Sequence, residues 1–244
     1  LQDLSDAQIE RYARHLVLPD IDEEGQLALL NSRVAVVGGG GLGCAVVQSL
    51  AAAGVGHITV FDADVVELSN LQRQVLHTTA DIGQPKVDSI RAAVALNPDV
   101  TLEARPVAVT PEAARDQLAG HDVIVDGCDN APTRLAVADA AEALGIPLVA
   151  GAIFQCEGQM TTLKPYQPGM PRLLDFFPDL ASPRPGQSCA EVGVFAPLCP
   201  LLGAWMASEV IKERLGLGQG LVGRLLMLDL MAARVQVFQL AGAD

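Results

Sequence analysis

The 244-residue sequence is short of positive charge: 16 Lys and Arg stand against 29 Asp and Glu, a net charge of -13. A surface of that sign repels a polyanion, so no nucleic-acid partner is expected, and any basic group that matters must act locally. Cysteine is scarce too, five residues with no short paired spacing. In a chain of this size that pattern reads as reduced thiols and not as a disulfide framework, which points to the cytoplasm. The first residues are acidic and polar, so no signal peptide is expected. The uncharged stretch Val192 to Ala207 is interrupted by Pro197 and Pro200 and is short for a bilayer span, so no membrane association is expected either. The phosphate loop G-x-x-x-x-G-K-[ST], the G-x-S-x-G elbow and the H-E-x-x-H helix are all missing. No internal repeat and no linker divides the chain, which has half its residues apolar, enough for one sizeable core.

What is present centres on Arg33 to Gly43. Val34-Ala35-Val36-Val37 has no polar alternation and predicts a parallel strand buried on both faces; five glycines in six positions then turn the chain into a helix near Leu42. Gly38, Gly40 and Gly43 fit G-x-G-x-x-G. In that spacing the first glycine permits the tight turn, the second lets backbone approach a phosphate, and the third lets helix pack on strand. The helix N-terminus offers unpaired N–H groups to an anion. A nucleotide site is therefore expected.

Along the chain, Ser5 and Gln8 form a capping-box pattern ahead of a helix from about Asp6 to Leu18, with Arg11, Arg14 and His15 off its apolar stripe. On composition alone those arginines are solvated. A short helix near Asp22 to Leu30 leads into the first strand, and the helix after the glycines ends at Gly54 and Gly56. The second strand, Ile58 to Phe61, finishes at Asp62 and Asp64. An acid about 20 residues after the glycines is where a dinucleotide fold binds a ribose hydroxyl, and a plain strand-ending aspartate is the other reading of Asp62. Lys86 stands in the first turn of a helix predicted over Lys86 to Leu96, against the helix dipole. Strand Val100 to Ala104, helix Pro111 to Leu118 and strand Val123 to Val125 continue the alternation into Asp126-Gly127-Cys128-Asp129-Asn130. Asp129 then either holds a metal at the sheet edge or caps the helix predicted over Pro132 to Leu144. Strands follow at Pro147 to Ala150 and near Gln159 to Leu163. Residues Lys164 to Glu191 carry six prolines and read as a long loop. A helix over Leu198 to Leu215, with Cys199 in the core, and two late strands, Leu225 to Leu228 and Val235 to Leu240, close the chain. The fold class is α/β: one Rossmann-like domain with a mostly parallel sheet flanked by helices, plus late antiparallel strands.

In this order the motifs resemble the MoeB, ThiF and HesA group of adenylyltransferases, relatives of the ubiquitin-activating enzymes. The resemblance rests on Arg11-Tyr12-Ala13-Arg14, Gly38 to Gly43, Asp62-Ala63-Asp64, Ser69 to Gln74, Gly83-Gln84-Pro85-Lys86, Asp129-Asn130, and Cys189 ahead of Gly193-Val194-Phe195-Ala196-Pro197. It covers nearly the whole chain, as a single ThiF-type adenylation domain: N-terminal helices over 5–30, nucleotide-binding core over 33–163, crossover loop over 164–191, and a C-terminal helix and strands over 196–240. It implies that the C-terminal glycine carboxylate of a small ubiquitin-like sulfur carrier ending in Gly-Gly attacks the α-phosphate of ATP, giving an acyl-adenylate and pyrophosphate. It further implies nucleotide contacts from Gly38, Gly40, Gly41, Gly43, Asp62, Asp64, Asn70, Arg73, Gln74, Lys86, Asp129 and Asn130. Of these, Arg73 and Lys86 meet phosphates, Asp62 the ribose, and Asp129 a magnesium ion. Arg14 is implied to act from the neighbouring subunit of a homodimer. Cys189 matches the cysteine that in some relatives takes the activated carrier covalently and in others is dispensable; Arg184 is the nearest cation to lower its pKa.

Two departures stand out. The C-x-x-C pairs that hold a structural zinc in many members are replaced by Gly169 to Leu174 at one end and missing at the other, so no zinc is expected. No rhodanese-like domain is expected, so sulfur would come from another protein. A nicotinamide-dependent oxidoreductase would share the glycine turn without using Arg73 or Lys86. A non-catalytic scaffold would keep the fold alone, and a relative acting on a tRNA base is disfavoured by the acidic balance.

Overall fold

Val34, Ala35, Val36 and Val37 are at most 2% exposed, the two-sided burial that an uninterrupted apolar run demands. They form β1 (Arg33–Val37) of a computed structural model that describes residues 3–95, 97–181 and 193–240. Three helices precede it: α1 (Asp6–Arg11), α2 (Ala13–Leu16) and α3 (Asp22–Leu30). The Ser5–Gln8 capping box forms as expected. The single helix expected to Leu18 breaks at Tyr12, because that side chain is buried at 3% exposure and its hydroxyl is held by Asp99 at 3.0 Å and Asn97 at 3.3 Å.

After β1 come α4 (Gly41–Ala53), β2 (His57–Phe61), α5 (Lys86–Val94), β3 (Thr101–Arg105), α6 (Ala114–Leu118), β4 (Val123–Asp126) and α7 (Ala131–Leu144). Strands β5 (Leu148–Phe154) and β6 (Glu157–Leu163) make a hairpin longer than expected at both inner ends, since backbone pairing runs from Leu148–Leu163 out to Phe154–Glu157. A short helix, α8 (Leu173–Phe176), lies inside the stretch expected to be loop. Helix α9 (Leu198–Leu215) matches its expectation, and β7 (Arg224–Asp229) and β8 (Arg234–Gln239) finish the chain.

The eight strands form one sheet in the order β3-β2-β1-β4-β5-β6-β7-β8. The first five are mutually parallel and the last three antiparallel, as expected for the fold class. One face is covered by α4, α5 and α9 through Val46, Leu50, Ile90, Leu202 and Met206; the other is covered by α6 and α7 through Leu118, Val137 and Ala140. Strand order reverses between β1 and β4, and in open parallel sheets the crevice outside the C-terminal strand ends at that point receives the ligand. Among the described residues no helix is long and apolar enough to cross a membrane.

Candidate functional site

The crevice is walled by two turns, one after β1 and one after β4. Gly38 adopts φ +95, where a side chain would be strained, and a Cβ there would lie 3.0 Å from the Gly127 carbonyl group. Gly43 sits so close to the start of the turn that a Cβ would fall 1.8 Å from the Gly38 oxygen. The first and third glycines are thus explained by packing. Gly40 differs: only Gln74 Nε2, at 3.8 Å, stands near a Cβ there, so its open side is where a phosphate could approach.

Asp62, just past β2, accepts the Gly39 N–H at 2.7 Å and the Asp64 N–H at 2.8 Å, and so ties the glycine turn to the β2 edge. Lys86 opens α5 against the helix dipole because its ammonium is used elsewhere. It reaches Asp64 Oδ2 at 2.7 Å, and its side chain is 9% exposed against 71% for that of Asp64. The Lys86 N–H also donates to the Asp64 carbonyl at 3.0 Å. A cation is therefore held inside the wall with its counter-ion facing solvent.

Between β2 and α5 the polar segment folds into short turns. Asn70, 8% exposed, accepts the Glu67 N–H at 3.1 Å and stabilises the bend. The half-buried Arg73 lays its stem 3.7 Å from where a Gly41 Cβ would be and donates to the Ser69 carbonyl at 3.2 Å. Gln74, 4% exposed, has a side-chain oxygen with no partner, an orphan beside the Gly40 turn that a bound polar group could satisfy. Cys199 is fully buried, as expected, but at the back of the cradle: its sulfur stands 2.6 Å from where a Gly41 Cβ would be.

On the β4 side, Asp129 is exposed on the turn beside Gly38. The helix cap is Asn130, whose side chain accepts the Thr133 N–H at 3.0 Å. That leaves the Asp129 carboxylate outside the cap. Among the described residues no three His, Cys, Asp or Glu side chains gather as a metal site. Magnesium arriving with nucleotide phosphates needs only one or two carboxylates, so the donor set fits it.

Arg14 is not part of this gathering. Tyr12 packs on Gly54 and reaches Asp99, at the end of α4 opposite the glycines, and α4 is about 20 Å long at 1.5 Å per residue. Arg14 is exposed there and, among the described residues, has no polar partner. Cys189 and Arg184 lie outside the described residues.

Two groups carried no motif. Asp126 is fully buried at the end of β4 and bound by Arg134 at 2.8 Å. His77 lies 3.2 Å from the Gly39 carbonyl. A charged residue ending an apolar strand, with an arginine eight positions on, was a visible signal for the pair; nothing local marked His77. Residues 169–177 are held by apolar anchors, Leu173, Phe176 and Phe177, and by an ion pair from Arg172 to Glu142 at 2.6 Å.

The chain matches the ThiF family model over residues 12–244. It is 46% identical to the SAMP-activating enzyme E1 of Haloferax volcanii, over 93% of this chain and 84% of that protein. It is 45% identical to the sulfur carrier protein adenylyltransferase of Thermus thermophilus, over 93% and 85%. With the molybdopterin-synthase adenylyltransferase of Salmonella typhimurium the identity is 40%, over 98% and 96%. Among solved structures, PaaA superposes with a TM-score of 0.81 at 25% identity, over 100% of this chain and 76% of that one. Escherichia coli MccB shares the fold, with a TM-score of 0.80 at 21% identity over 96% and 71%. With a glycine turn at the strand-order switch and a matching family model over nearly its whole length, the chain belongs to the ThiF family.

Proposed function

We propose that this protein is an ATP- and magnesium-dependent adenylyltransferase that activates the C-terminal glycine carboxylate of a small ubiquitin-like sulfur carrier. The observation that carries the reading is the meeting of two cations with the glycine turn: Arg73 over Gly41, and Lys86 buried beside Asp64. Hydride transfer itself has no step that calls for these two cations. Attack on the α-phosphate does, because catalysis of that transfer is chiefly positioning and charge stabilisation. Family members with this activity, named for sulfur carrier and molybdopterin-synthase adenylylation, match over most of the chain.

In this mechanism the Gly40 turn receives the phosphates and Asp62 the ribose. Lys86 exchanges Asp64 for phosphate oxygen, and Arg73 swings its head from the Ser69 carbonyl onto the same group. The carrier carboxylate oxygen bonds to the α-phosphorus as the bond to pyrophosphate breaks, and no proton need move. Asp129 is the residue that would hold a magnesium ion arriving with the nucleotide, and that ion would supply charge to neutralise the departing pyrophosphate. Arg14 reaches the site from the partner of a homodimer, since its own cradle lies a helix length away. The protein works in the cytoplasm, in keeping with its few cysteines.

The test is pyrophosphate–ATP exchange with a panel of carrier proteins, comparing wild type with Arg73→Ala and Asp129→Ala. Carrier-dependent exchange lowered by about a hundredfold or more in both variants is expected. Exchange absent with every carrier would leave a non-catalytic scaffold. Cys189→Ser, followed by mass spectrometry of trapped adducts, tests the covalent role of that thiol.

A further inference from the structure

His77 sits in the polar segment between β2 and α5, 6% exposed, with both ring nitrogens engaged. Nδ1 is 2.9 Å from the Ser89 hydroxyl and Nε2 is 3.2 Å from the Gly39 carbonyl oxygen. A carbonyl oxygen can only accept, so Nε2 carries the hydrogen and donates. Burial pushes the imidazole pKa down, and Nδ1 meets a Ser89 hydroxyl that also bonds the Asp81 carboxylate. The Cys44 thiol donates to the same carbonyl at 3.3 Å, while the Gly39 N–H donates to Asp62 at 2.7 Å. Gly39 is therefore gripped at both ends.

The grip has a geometric consequence. All peptides here are trans, and a trans peptide points its C=O and N–H to opposite sides. Drawing the Gly39 carbonyl inward to His77 turns the Gly40 N–H outward, to the side where only Gln74 stands near. Among the described residues that N–H has no acceptor. His77 also joins the cradle to the segments bearing both cations. Its own N–H donates to the carbonyl of Gln74, next to Arg73, at 3.2 Å, and Ser89 lies three residues after Lys86 on α5.

We propose that His77 is a positioning residue for nucleotide binding: by donating from Nε2 to the Gly39 carbonyl it holds the Gly40 N–H toward a nucleotide phosphate and fixes the cradle against the Arg73 and Lys86 segments. The inference rests on the reading of this crevice as an ATP site.

The test is calorimetric titration of the full chain with ATP and magnesium, with thermal melting alongside. His77→Gln keeps a donor near the reach of Nε2, whereas His77→Asn keeps only a group near Nδ1. ATP affinity within about threefold of wild type is expected for His77→Gln, and a loss of about tenfold for His77→Asn, the size of one lost hydrogen bond. Affinity unchanged in both variants overturns the proposal. So does an equal loss in both, which would make His77 a packing residue, and so does a wild-type chain that binds no ATP. Pyrophosphate exchange judges the adenylation reading separately. A wild type that binds ATP with the Gln–Asn difference yet exchanges with no carrier retains the His77 role and removes the reaction.

Discussion

Arg134 holds Asp126 at 2.8 Å while the face of its guanidinium lies 4.8 Å from the centre of the Phe177 ring. The Asp126 side chain is fully buried and that of Arg134 is 7% exposed. The other Asp126 oxygen takes the Cys128 N–H at 3.1 Å and its thiol at 2.6 Å, so one carboxylate shapes the turn that leads to Asp129. A buried pair adds little net stability, but removing one partner strands the other charge in the core. Arg134→Met is expected to cost about 3–5 kcal/mol in urea denaturation, with Asp126→Leu in the same chain recovering most of it. A loss below about 1 kcal/mol, the range of an exposed pair, would mean that Asp126 is better solvated than its burial implies.

The glycines separate folding from binding. At Gly43 a Cβ would meet backbone at 1.8 Å, which no side-chain adjustment relieves, so Gly43→Ala should lower stability by about 3 kcal/mol or more. At Gly40 the nearest atom is 3.8 Å away, and Gly40→Ala should melt close to wild type. The added methyl would nonetheless stand where the phosphate approaches, and ATP affinity should fall about tenfold or more. An equal thermal shift in the two variants would count against this division.

Much of the fold was legible because its signals are local. An apolar run without alternation marks β1, glycines mark the turn, and proline ahead of Lys86 marks the start of α5. The break at Tyr12 was not legible, since it follows from a hydrogen bond to Asp99, 87 residues away. The same holds for the foot of the crossover segment: the prolines announce a loop, but Phe176 and Phe177 are drawn into the core by α7 and Arg134. At the site, residues with a chemical signature were visible in sequence, whereas His77 acts on a backbone carbonyl 38 positions distant.

Two histidines, His77 buried and His121 half-buried, set an acid limit on stability. Burial lowers the pKa of both His77 and His121 from 6.5, since the imidazolium is costly to desolvate. Between those lowered folded values and 6.5 the unfolded chain binds more protons. Their contribution is therefore complete above about pH 6.5 and is lost as pH falls through the folded values. The urea midpoint should be lower at pH 5.5 than at pH 7.5, and His121→Asn, remote from the cradle, should flatten part of that slope. Asp81, held below the usual carboxylate range by Thr78, adds its own loss at lower pH, outside this window. A midpoint that does not move between the two pH values contradicts the argument.

Arg14 offers the sharpest test of assembly. In its own chain it stands at the end of α4 away from the glycines, exposed and, among the described residues, without a polar partner. If a partner subunit supplies it, Arg14→Ala and Arg73→Ala each silence every site of a homodimer, but by removing groups from different chains. Mixing the two proteins under conditions that exchange subunits then makes hybrids in which one site has both arginines and the other neither. Random exchange yields about half hybrids and hence about a quarter of wild-type exchange activity, recovered from two inactive proteins. No recovery on mixing, with subunit exchange verified, would place Arg14 outside the reaction or confine its action to its own chain. With Arg14 outside the reaction, Arg73 and Lys86 would have to suffice as the cations on the phosphates.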